Sequence, residues 1–398
     1  MGGGRATLLK DTKELSVMGE VWAKRGNRIS LVEHKGNYFI VPRLLVTANG
    51  GTCLRPWVLD RLLSMSQLKK DSDDALSVTY HPGFACNLTC SYCYQVDSSG
   101  LRPQNKRDKA ITTEQMARFL AGYARDMGKS EFSVTYLGGE PLLYIKDILD
   151  FHRCLTKFMP VNGSFLVTNG VLVNEENIKY LKIIDCYTIQ ITIDGAEDVH
   201  NMYRKTKSGW GSYRKIIDSI LLLLQEGFYV SIRVNVTSVS INSIESLLDD
   251  LYINIGHPNN MSIYFALIDN TNMYHDSIKE SNEYIDKYVN AYRVAVKKGF
   301  KISRPGHSGY CSTCRTPRSE LGYQPEGVVL TSSGKLYSCW DSAGQQSMEV
   351  GNVIDGYNPA AYEKSWVQCG YLDCNKLSQR EAINSVILML KDEFNMIL

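Results

Sequence analysis

Three cysteines lie within eight residues in the stretch CNLTCSYCY, which runs from Cys86 to Tyr94. Their thiolates could bind zinc, but a structural zinc site takes four ligands. Thiolates at such spacing also hold iron–sulfur clusters. With only three local ligands, one iron of a [4Fe–4S] cluster keeps an open coordination position, which a substrate or cofactor can occupy. A distant fourth zinc ligand, for instance His81 or His200, is the alternative at this point.

A second and looser group of cysteines lies towards the C-terminus: Cys311, Cys314, Cys339, Cys369 and Cys374. Their positions do not form a standard zinc pattern, although Cys311-x-x-Cys314 with Cys369-x4-Cys374 could make a zinc ribbon. The remaining three of the eleven cysteines stand alone and are expected to be small buried apolar residues: Cys53, Cys154 and Cys186.

Length and charge limit the function classes. The 398 residues can form one large domain with appendages or two to three smaller domains. A net charge of +2 gives no electrostatic reason to expect nucleic acid or a membrane surface as a partner. The first twenty residues are charged and lack a secretory signal, and no apolar run is long enough to span a bilayer. We therefore expect a cytoplasmic protein whose clustered cysteines bind metal rather than form disulfides.

Strand and helix patterns alternate six times between residues 76 and about 302. This alternation predicts a parallel sheet covered by helices, either an open doubly wound sheet or an incomplete (β/α) barrel. Residues 1–75 form a smaller α+β region, with a hairpin in RISLVEHKGNYFIVP and a helix in WVLDRLLSMSQL. Residues 303–398 contain a hairpin in GVVLTSSGKLYSCW and end in a helical pattern.

Polar and glycine residues follow the predicted strands. The first strand leads to Cys86, and the second is followed by residues 138–140. Residues 168–170 end the third strand, residues 194–195 end the fourth, and Asn235 lies near the end of the fifth. The carboxyl ends of parallel strands meet at one edge of the sheet, where α/β proteins place their chemistry. These segments are therefore expected to lie together.

At this point the chain resembles the radical S-adenosylmethionine (SAM) enzymes. The match comprises Cys86-x-x-x-Cys90-x-Tyr92-Cys93, GGEPLL at 138–143, TNG at 168–170, TIDG at 192–195 with HNMYR at 200–204, and RVNVT at 233–237. The resemblance implies a partial (β/α)6 TIM barrel. It also implies a [4Fe–4S] cluster on the three cysteines, with SAM bound at the open iron.

The resemblance further implies a reaction and a set of roles. A reductant protein such as flavodoxin or ferredoxin supplies one electron, SAM is cleaved, and the 5′-deoxyadenosyl radical removes a hydrogen atom from the substrate. Tyr92 would lie against the adenine. Arg204 would pair with the methionine carboxylate, with a structural ion pair as its alternative. Other implied contacts are Gly138, Gly139 and Glu140 for the methionine amino group, and Asn169, Asp194 and Asn235 for ribose and methionine.

Gly334-x4-Cys339 resembles the C-terminal extension called SPASM, or twitch in its short form, which binds auxiliary iron–sulfur clusters. The full form uses seven cysteines for two clusters, whereas this region has five. One auxiliary cluster is therefore expected, with one cysteine spare, and a second would need an open site or ligands other than cysteine. Asp341 is a candidate proton acceptor near that cluster, with a turn carboxylate as the plainer alternative.

SPASM and twitch enzymes act mostly on peptides and proteins. The leading hypothesis is a maturase that crosslinks or otherwise modifies side chains of a ribosomally made precursor peptide. Residues 1–75 would then bind the leader sequence by strand addition, or else form a structural cap. The second hypothesis is an anaerobic sulfatase maturase that forms formylglycine, and the third is a non-catalytic zinc-binding scaffold.

Overall fold

A computed structural model gives the architecture of the chain. It describes five strands between residues 16 and 54, and then residues 74–97, 101–103, 111–268, 274–278, 284–303, 327–365 and 377–394. The chain divides into two compact units, Met1–Asp74 and Ala75–Leu398.

The first unit contains a three-stranded antiparallel sheet and a short two-stranded one. The larger sheet has the order β1 (Ser16–Trp22), β2 (Arg28–His34) and β3 (Asn37–Pro42). The smaller pairs β4 (Val46–Ala48) with β5 (Thr52–Leu54). Strands β2 and β3 confirm the predicted hairpin, while the predicted helix around residues 57–68 lies outside the described residues.

The second unit is built on six parallel strands that pair in chain order. They are β6 (Ala75–His81), β7 (Glu131–Tyr136), β8 (Val161–Thr168), β9 (Thr188–Thr192), β10 (Tyr229–Val236) and β11 (Met261–Leu267). The intervening helices are α1 (Thr113–Asp126), α2 (Ile145–Thr156), α3 (Glu175–Ile183), α4 (Glu197–Tyr203), α5 (Tyr213–Gln225) and α6 (Ile244–Asn254), and α7 (Tyr284–Lys297) follows β11. This confirms the partial (β/α)6 architecture, and the described strands form an open sheet.

The two faces of this sheet differ in chemistry. Side chains that point to the helices are apolar and fully buried, for example Tyr136, Leu166 and Val234. Because successive residues of a strand point to opposite faces, the other side presents residues such as Gln190 and Arg233. We call this second side the inner face. Polar side chains on this face could bind a ligand.

Local sequence sets the start of α1. Thr112 Oγ1 accepts a hydrogen bond from the Gln115 amide at 3.1 Å, and Gln115 Oε1 accepts one from the Thr112 amide at 2.8 Å. This reciprocal pair of hydrogen bonds is a capping box.

The C-terminal region extends the same sheet. Strand β12 (Gly327–Thr331) pairs in parallel with β6, and β13 (Lys335–Tyr337), β14 (Glu349–Asn352) and β15 (Gly356–Tyr357) continue it antiparallel. Two helices follow, α8 (Pro359–Ser365) and α9 (Leu377–Phe394). The predicted hairpin and final helix are confirmed, while the boundary at residue 302 stays a prediction. None of the described helices is long and apolar enough to cross a membrane.

Candidate cluster and cofactor site

The cysteine loop is held by backbone hydrogen bonds on two sides. On one side, the Thr89 amide donates to Lys205 O at 2.8 Å and the Ser91 amide donates to Tyr203 O at 3.2 Å. On the other side, the amides of the segment 138–140 reach the residues before Cys86, at 3.0 Å from Gly139 N to Gly83 O and 2.9 Å from Glu140 N to Ala85 O. The loop therefore lies between the ends of β7 and α4.

The paired glycines of the GGEP segment permit this close approach. A Cβ atom added to Gly138 would lie 2.5 Å from Gly83 O, and one added to Gly139 would lie 2.3 Å from Ala85 O. Any side chain here would collide with backbone that has no room to move. Both glycines thus have a packing role, and their contact with SAM stays a prediction.

The three cysteine thiols share one electrostatic environment. Cys86 is buried and Cys90 and Cys93 are half-buried, and none forms a disulfide. Burial raises the pKa of Cys86, and it raises the pKa of Cys90 to about 11 even though the nearby Arg204 guanidinium opposes the change. Each of these two thiols is also affected by the charge of Cys93. Cys86 and Cys90 therefore start as neutral thiols, which lose their protons when metal binds.

The described residues contain no converged set of ligands for a single metal ion. Among the described residues, which include all three cysteines of the loop, no three His, Cys, Asp or Glu side chains lie close enough to share one metal ion. A zinc site needs its ligands to converge on one atom. In an iron–sulfur cluster each thiolate binds a different iron, so the thiols need only surround a common space. The zinc alternative gains no support here.

Glu140 joins the ends of β7 and β8. Its fully buried carboxylate accepts hydrogen bonds from Leu142 N at 3.0 Å, Thr168 Oγ1 at 2.7 Å and Asn169 N at 2.8 Å. Burial raises the pKa of Glu140, and these three hydrogen bonds oppose that rise. A carboxylate has about four acceptor positions, so most of its capacity is used within the protein. Its contact with the methionine amino group stays a prediction.

Asn169 continues this link to the cysteine loop. Its Nδ2 atom donates to Asn87 Oδ1 at 2.8 Å and lies 3.6 Å from Cys86 Sγ. Its Oδ1 atom accepts from Val171 N at 3.0 Å. Asn169 is thus placed beside Cys86, the first of the predicted cluster ligands.

Four of the predicted cofactor residues meet around one phenol. The Tyr92 hydroxyl donates to Asp194 Oδ2 and accepts from Arg204 Nη1 at 2.8 Å and Asn235 Nδ2 at 3.2 Å. The backbone N–H of Asn235 also donates to Asp194 Oδ1 at 3.3 Å. Burial raises the pKa of Asp194, and the Arg204 charge opposes this effect. Tyr92 belongs to the cysteine loop, whereas the other three residues come from separate segments. Asp194 follows β9, Arg204 follows α4, and Asn235 lies at the end of β10.

Arg204 makes the structural ion pair that the sequence offered as one alternative, and its contact with the methionine carboxylate stays a prediction. Its Nη1 atom lies 3.9 Å from Asp194 Oδ2, so the structural ion pair is present. Its buried Nε atom has no partner among the described residues. An unpaired buried N–H next to the cysteine loop suits an anionic ligand such as the methionine carboxylate.

Sequence reasoning missed the role of His200, which belongs to the HNMYR segment. The Asp194 amide donates to His200 Nδ1 at 3.2 Å. The proton therefore sits on Nε2, which donates to Ser212 Oγ at 2.9 Å, and Ser212 Oγ donates to Arg204 O at 2.8 Å. Both ring nitrogens are occupied, so His200 orients Asp194 and Arg204 and is not a metal ligand.

The C-terminal hairpin brings Cys339 towards the cysteine loop. Cys339 is buried, and the adjacent Trp340 ring meets the Tyr94 ring edge-on with centroids 5.5 Å apart. Asp341 is exposed, and its charge acts on the Tyr94 hydroxyl. Four predicted ligands lie outside the described residues, so the auxiliary cluster stays a prediction: Cys311, Cys314, Cys369 and Cys374.

The sequence model of the radical SAM superfamily matches residues 80–251 of this chain. The matched range contains the cysteine loop, the GGEP segment and the Tyr92 hydrogen-bond network. This chain carries a radical SAM domain. Radical SAM domains use a [4Fe–4S] cluster with SAM, and the donor set described above fits that pair of cofactors.

Two curated relatives of this radical SAM domain are maturases. The chain is 27% identical over 149 residues to the serine-type anaerobic sulfatase-maturating enzyme of Bacteroides thetaiotaomicron, covering 36% of this chain and 35% of that protein. It is 28% identical over 170 residues to mycofactocin maturase MftC of Mycobacterium ulcerans, covering 41% and 40%. The alignments thus span less than half the length of these relatives.

The fold also agrees with a solved radical SAM structure, native anSMEcpe with bound AdoMet and Kp18Cys peptide. The superposition has a TM-score of 0.58 at 17% identity and covers 81% of this chain and 100% of the other. At this identity the likeness establishes the shared fold.

Proposed function

We propose that this chain is a radical SAM maturase that crosslinks or otherwise oxidises side chains of a ribosomally made precursor peptide. The observation that carries the proposal is that the cysteine loop, where the first cluster is predicted, contacts the hairpin that carries Cys339, where the auxiliary cluster is predicted. The Tyr92 network holds one side of the cysteine loop, and the Trp340–Tyr94 contact brings Cys339 to the same loop. The name of one curated relative, mycofactocin maturase MftC, agrees with it, whereas the sulfatase-maturating relative supports the alternative described below.

The chain's own residues would divide the work. Cys86, Cys90 and Cys93 hold the [4Fe–4S] cluster, and Arg204 Nε binds the methionine carboxylate of SAM. When bound, this cofactor pair supplies one-electron chemistry that removes a hydrogen atom from the substrate. Glu140 and Asn169 hold the segments after β7 and β8 in a fixed position relative to the cysteine loop. The cofactor would therefore bind in a single orientation.

The auxiliary cluster would lie on Cys339 and on three of the four cysteines outside the described residues, Cys311, Cys314, Cys369 and Cys374. Its place beside Tyr94 suits an electron acceptor for the oxidised product. Asp341, next to this region, would accept a proton. A flavodoxin- or ferredoxin-type protein would reduce the first cluster.

The first unit would bind the leader of the precursor. Its sheet order leaves β1 and β3 as the edge strands of the described sheet. An extended peptide can add to such an edge through main-chain hydrogen bonds. Hydrogen exchange of the full chain, with and without a candidate leader peptide, tests this step. Protection of β1 or β3 amides is expected, whereas unchanged exchange favours the structural cap.

Anaerobic purification tests the catalytic core of the proposal. We expect brown protein with roughly eight irons per chain, as two [4Fe–4S] clusters require, and 5′-deoxyadenosine formation after dithionite reduction. Replacing Cys86, Cys90 and Cys93 by Ala together should abolish that product. The matched control is Cys154→Ala, on the outer helix α2, which should retain it. Zinc without iron in the wild-type protein would end the radical SAM assignment.

The sulfatase-maturing alternative is kept because sulfatase-maturating enzymes are among the relatives. Neighbouring genes provide candidate substrates, either a short peptide gene or a sulfatase gene. Each candidate is incubated with reduced enzyme and SAM and analysed by mass spectrometry. Loss of two hydrogens without a reactive aldehyde supports crosslinking. An aldehyde at Cys or Ser of a sulfatase peptide supports formylglycine formation instead.

A further inference from the structure

Arg233 occupies the inner face of β10, directly beside the proposed cofactor site. Its Nε atom donates to Asn235 Oδ1 at 2.8 Å. Asn235 is two residues further along the strand and therefore on the same face. Because Asn235 Nδ2 also donates to the Tyr92 hydroxyl, Arg233 is one hydrogen-bonding residue away from the Tyr92 network.

The surroundings of Arg233 are polar. Tyr264 pairs with Arg233 across the β10–β11 register, and its hydroxyl donates to Gln190 Oε1 at 2.7 Å. Thr192 is the corresponding partner on β9. Arg233 is only partly buried. A cation in a partly open polar surface costs little desolvation and stays available to a ligand.

The charge of Arg233 is not matched by a neighbour in the described part of the chain. Its guanidinium hydrogen-bonds to the Asn235 amide oxygen and to the Tyr264 hydroxyl, which are both neutral groups, and it forms no ion pair with any residue that the structure describes. Asp194 is near enough to feel the charge of Arg233, but its carboxylate already pairs with Arg204 and Tyr92. A guanidinium has five N–H donors, so after these two bonds Arg233 keeps donors that can bind one carboxylate.

We propose that Arg233 binds a side-chain carboxylate of the substrate, so that the enzyme selects peptides with Asp or Glu near the modified position. The inference rests on the proposed peptide-modifying function. The SAM carboxylate is the other source of the same chemical group. Arg204, with its unpaired buried Nε, is the better placed residue for that group.

Equilibrium dialysis of the cluster-loaded protein with SAM tests this selectivity. Two synthetic peptide pools of equal length differ only in having Asp and Glu or Asn and Gln at the variable polar positions. Wild-type protein should bind the acidic pool roughly ten- to hundredfold more tightly, as a hydrogen bond between charged groups allows. Arg233→Gln should bring the ratio close to one, and Arg233→Lys should give an intermediate ratio because it lacks the bidentate fork.

Controls separate the possible outcomes. Arg214→Gln removes an exposed arginine that pairs with Glu197, and it should leave the selectivity ratio unchanged. Equal binding of the two pools by wild-type protein, or an unchanged ratio in Arg233→Gln, overturns the proposal. SAM affinity is measured in the same dialysis, and a loss of SAM binding with retained peptide selectivity assigns Arg233 to the cofactor instead. If Arg233→Gln does not fold, the Arg233→Lys ratio decides. The peptide-maturase proposal has its own readout in 5′-deoxyadenosine and product mass.

Discussion

Arg204 and Asp194 form a buried ion pair that is bridged by the hydroxyl of Tyr92. The Arg204 Nη1 and Asp194 Oδ2 atoms are 3.9 Å apart, and their side chains are 8% and 0% exposed. The bridge connects the cysteine loop to the segments after β9 and α4. Stability of the fold and shape of the cofactor site thus depend on the same three side chains.

Arg204→Gln should destabilise the protein by roughly 3–5 kcal/mol, because it leaves the buried Asp194 carboxylate without its counter-charge. Urea denaturation of the cluster-free protein measures this. The double variant Arg204→Gln with Asp194→Asn should recover part of the loss, since both charges are then absent. An additive double variant would show that the two residues do not interact. The control is Arg214→Gln, which removes an exposed arginine from its ion pair with Glu197 and should change stability little.

Gly139→Ala should lower the free energy of unfolding by about 1–3 kcal/mol, because the new Cβ atom meets the backbone oxygens of Phe84 and Ala85 at 2.3 Å. It should also reduce iron incorporation, since the loop before Cys86 must move. Gly122→Ala is the control, because no atom lies within 4 Å of its added Cβ in α1. That change should stabilise by about 0.5–1 kcal/mol. Equal effects of the two variants in thermal or urea unfolding would contradict the packing role of Gly139.

Glu140→Gln should destabilise by about 1–3 kcal/mol, because an amide NH2 group replaces one carboxylate oxygen that now accepts from protein N–H or O–H donors. The expected losses are to Thr168 and Asn169, and hydrogen exchange at the end of β8 should rise. Glu131→Gln is the control, since Glu131 makes exposed hydrogen bonds to Asn162. If Glu140→Gln leaves the stability unchanged, the carboxylate charge serves a ligand rather than the fold.

His81 should make the stability pH-dependent. It is fully buried without a described partner for either ring nitrogen, and burial lowers its pKa to about 3. The unfolded chain therefore binds one more proton between pH 6.5 and 3, so acid favours unfolding in that window and has no such effect above it. The contribution is about 1.4 kcal/mol per pH unit below 6.5. Urea unfolding of wild type and His81→Leu from pH 7.5 to 5 tests this, and parallel curves would rule it out.

Cys339→Ala should remove the auxiliary cluster and leave the first one in place. Iron content should fall from roughly eight to roughly four per chain, while SAM cleavage after dithionite reduction persists at a reduced level. Iron analysis and electron paramagnetic resonance of the reduced protein measure both parts. Cys186→Ala, in the apolar core, is the control and should keep the full iron content. Full iron content in Cys339→Ala would exclude Cys339 as a ligand.

The sequence by itself determined the class of chemistry and the order of the elements. The spacing of Cys86, Cys90 and Cys93 is local, and alternating strand and helix patterns place the later motifs at one sheet edge. The capping box at Thr112 likewise depends on residues three positions apart. Such features are readable because their interactions lie within a few residues along the chain.

Only the tertiary structure decided which partners the site residues have. Tyr92 meets Asp194, Arg204 and Asn235 across more than one hundred residues, and Glu140 turns its carboxylate towards Thr168 and Asn169. The sequence could not show that the GGEP glycines touch the backbone before Cys86, that His200 holds Asp194, or that Arg233 keeps an open side. Long-range packing sets these contacts, because the hydrogen-bond partner of a buried polar group depends on which distant segment covers it.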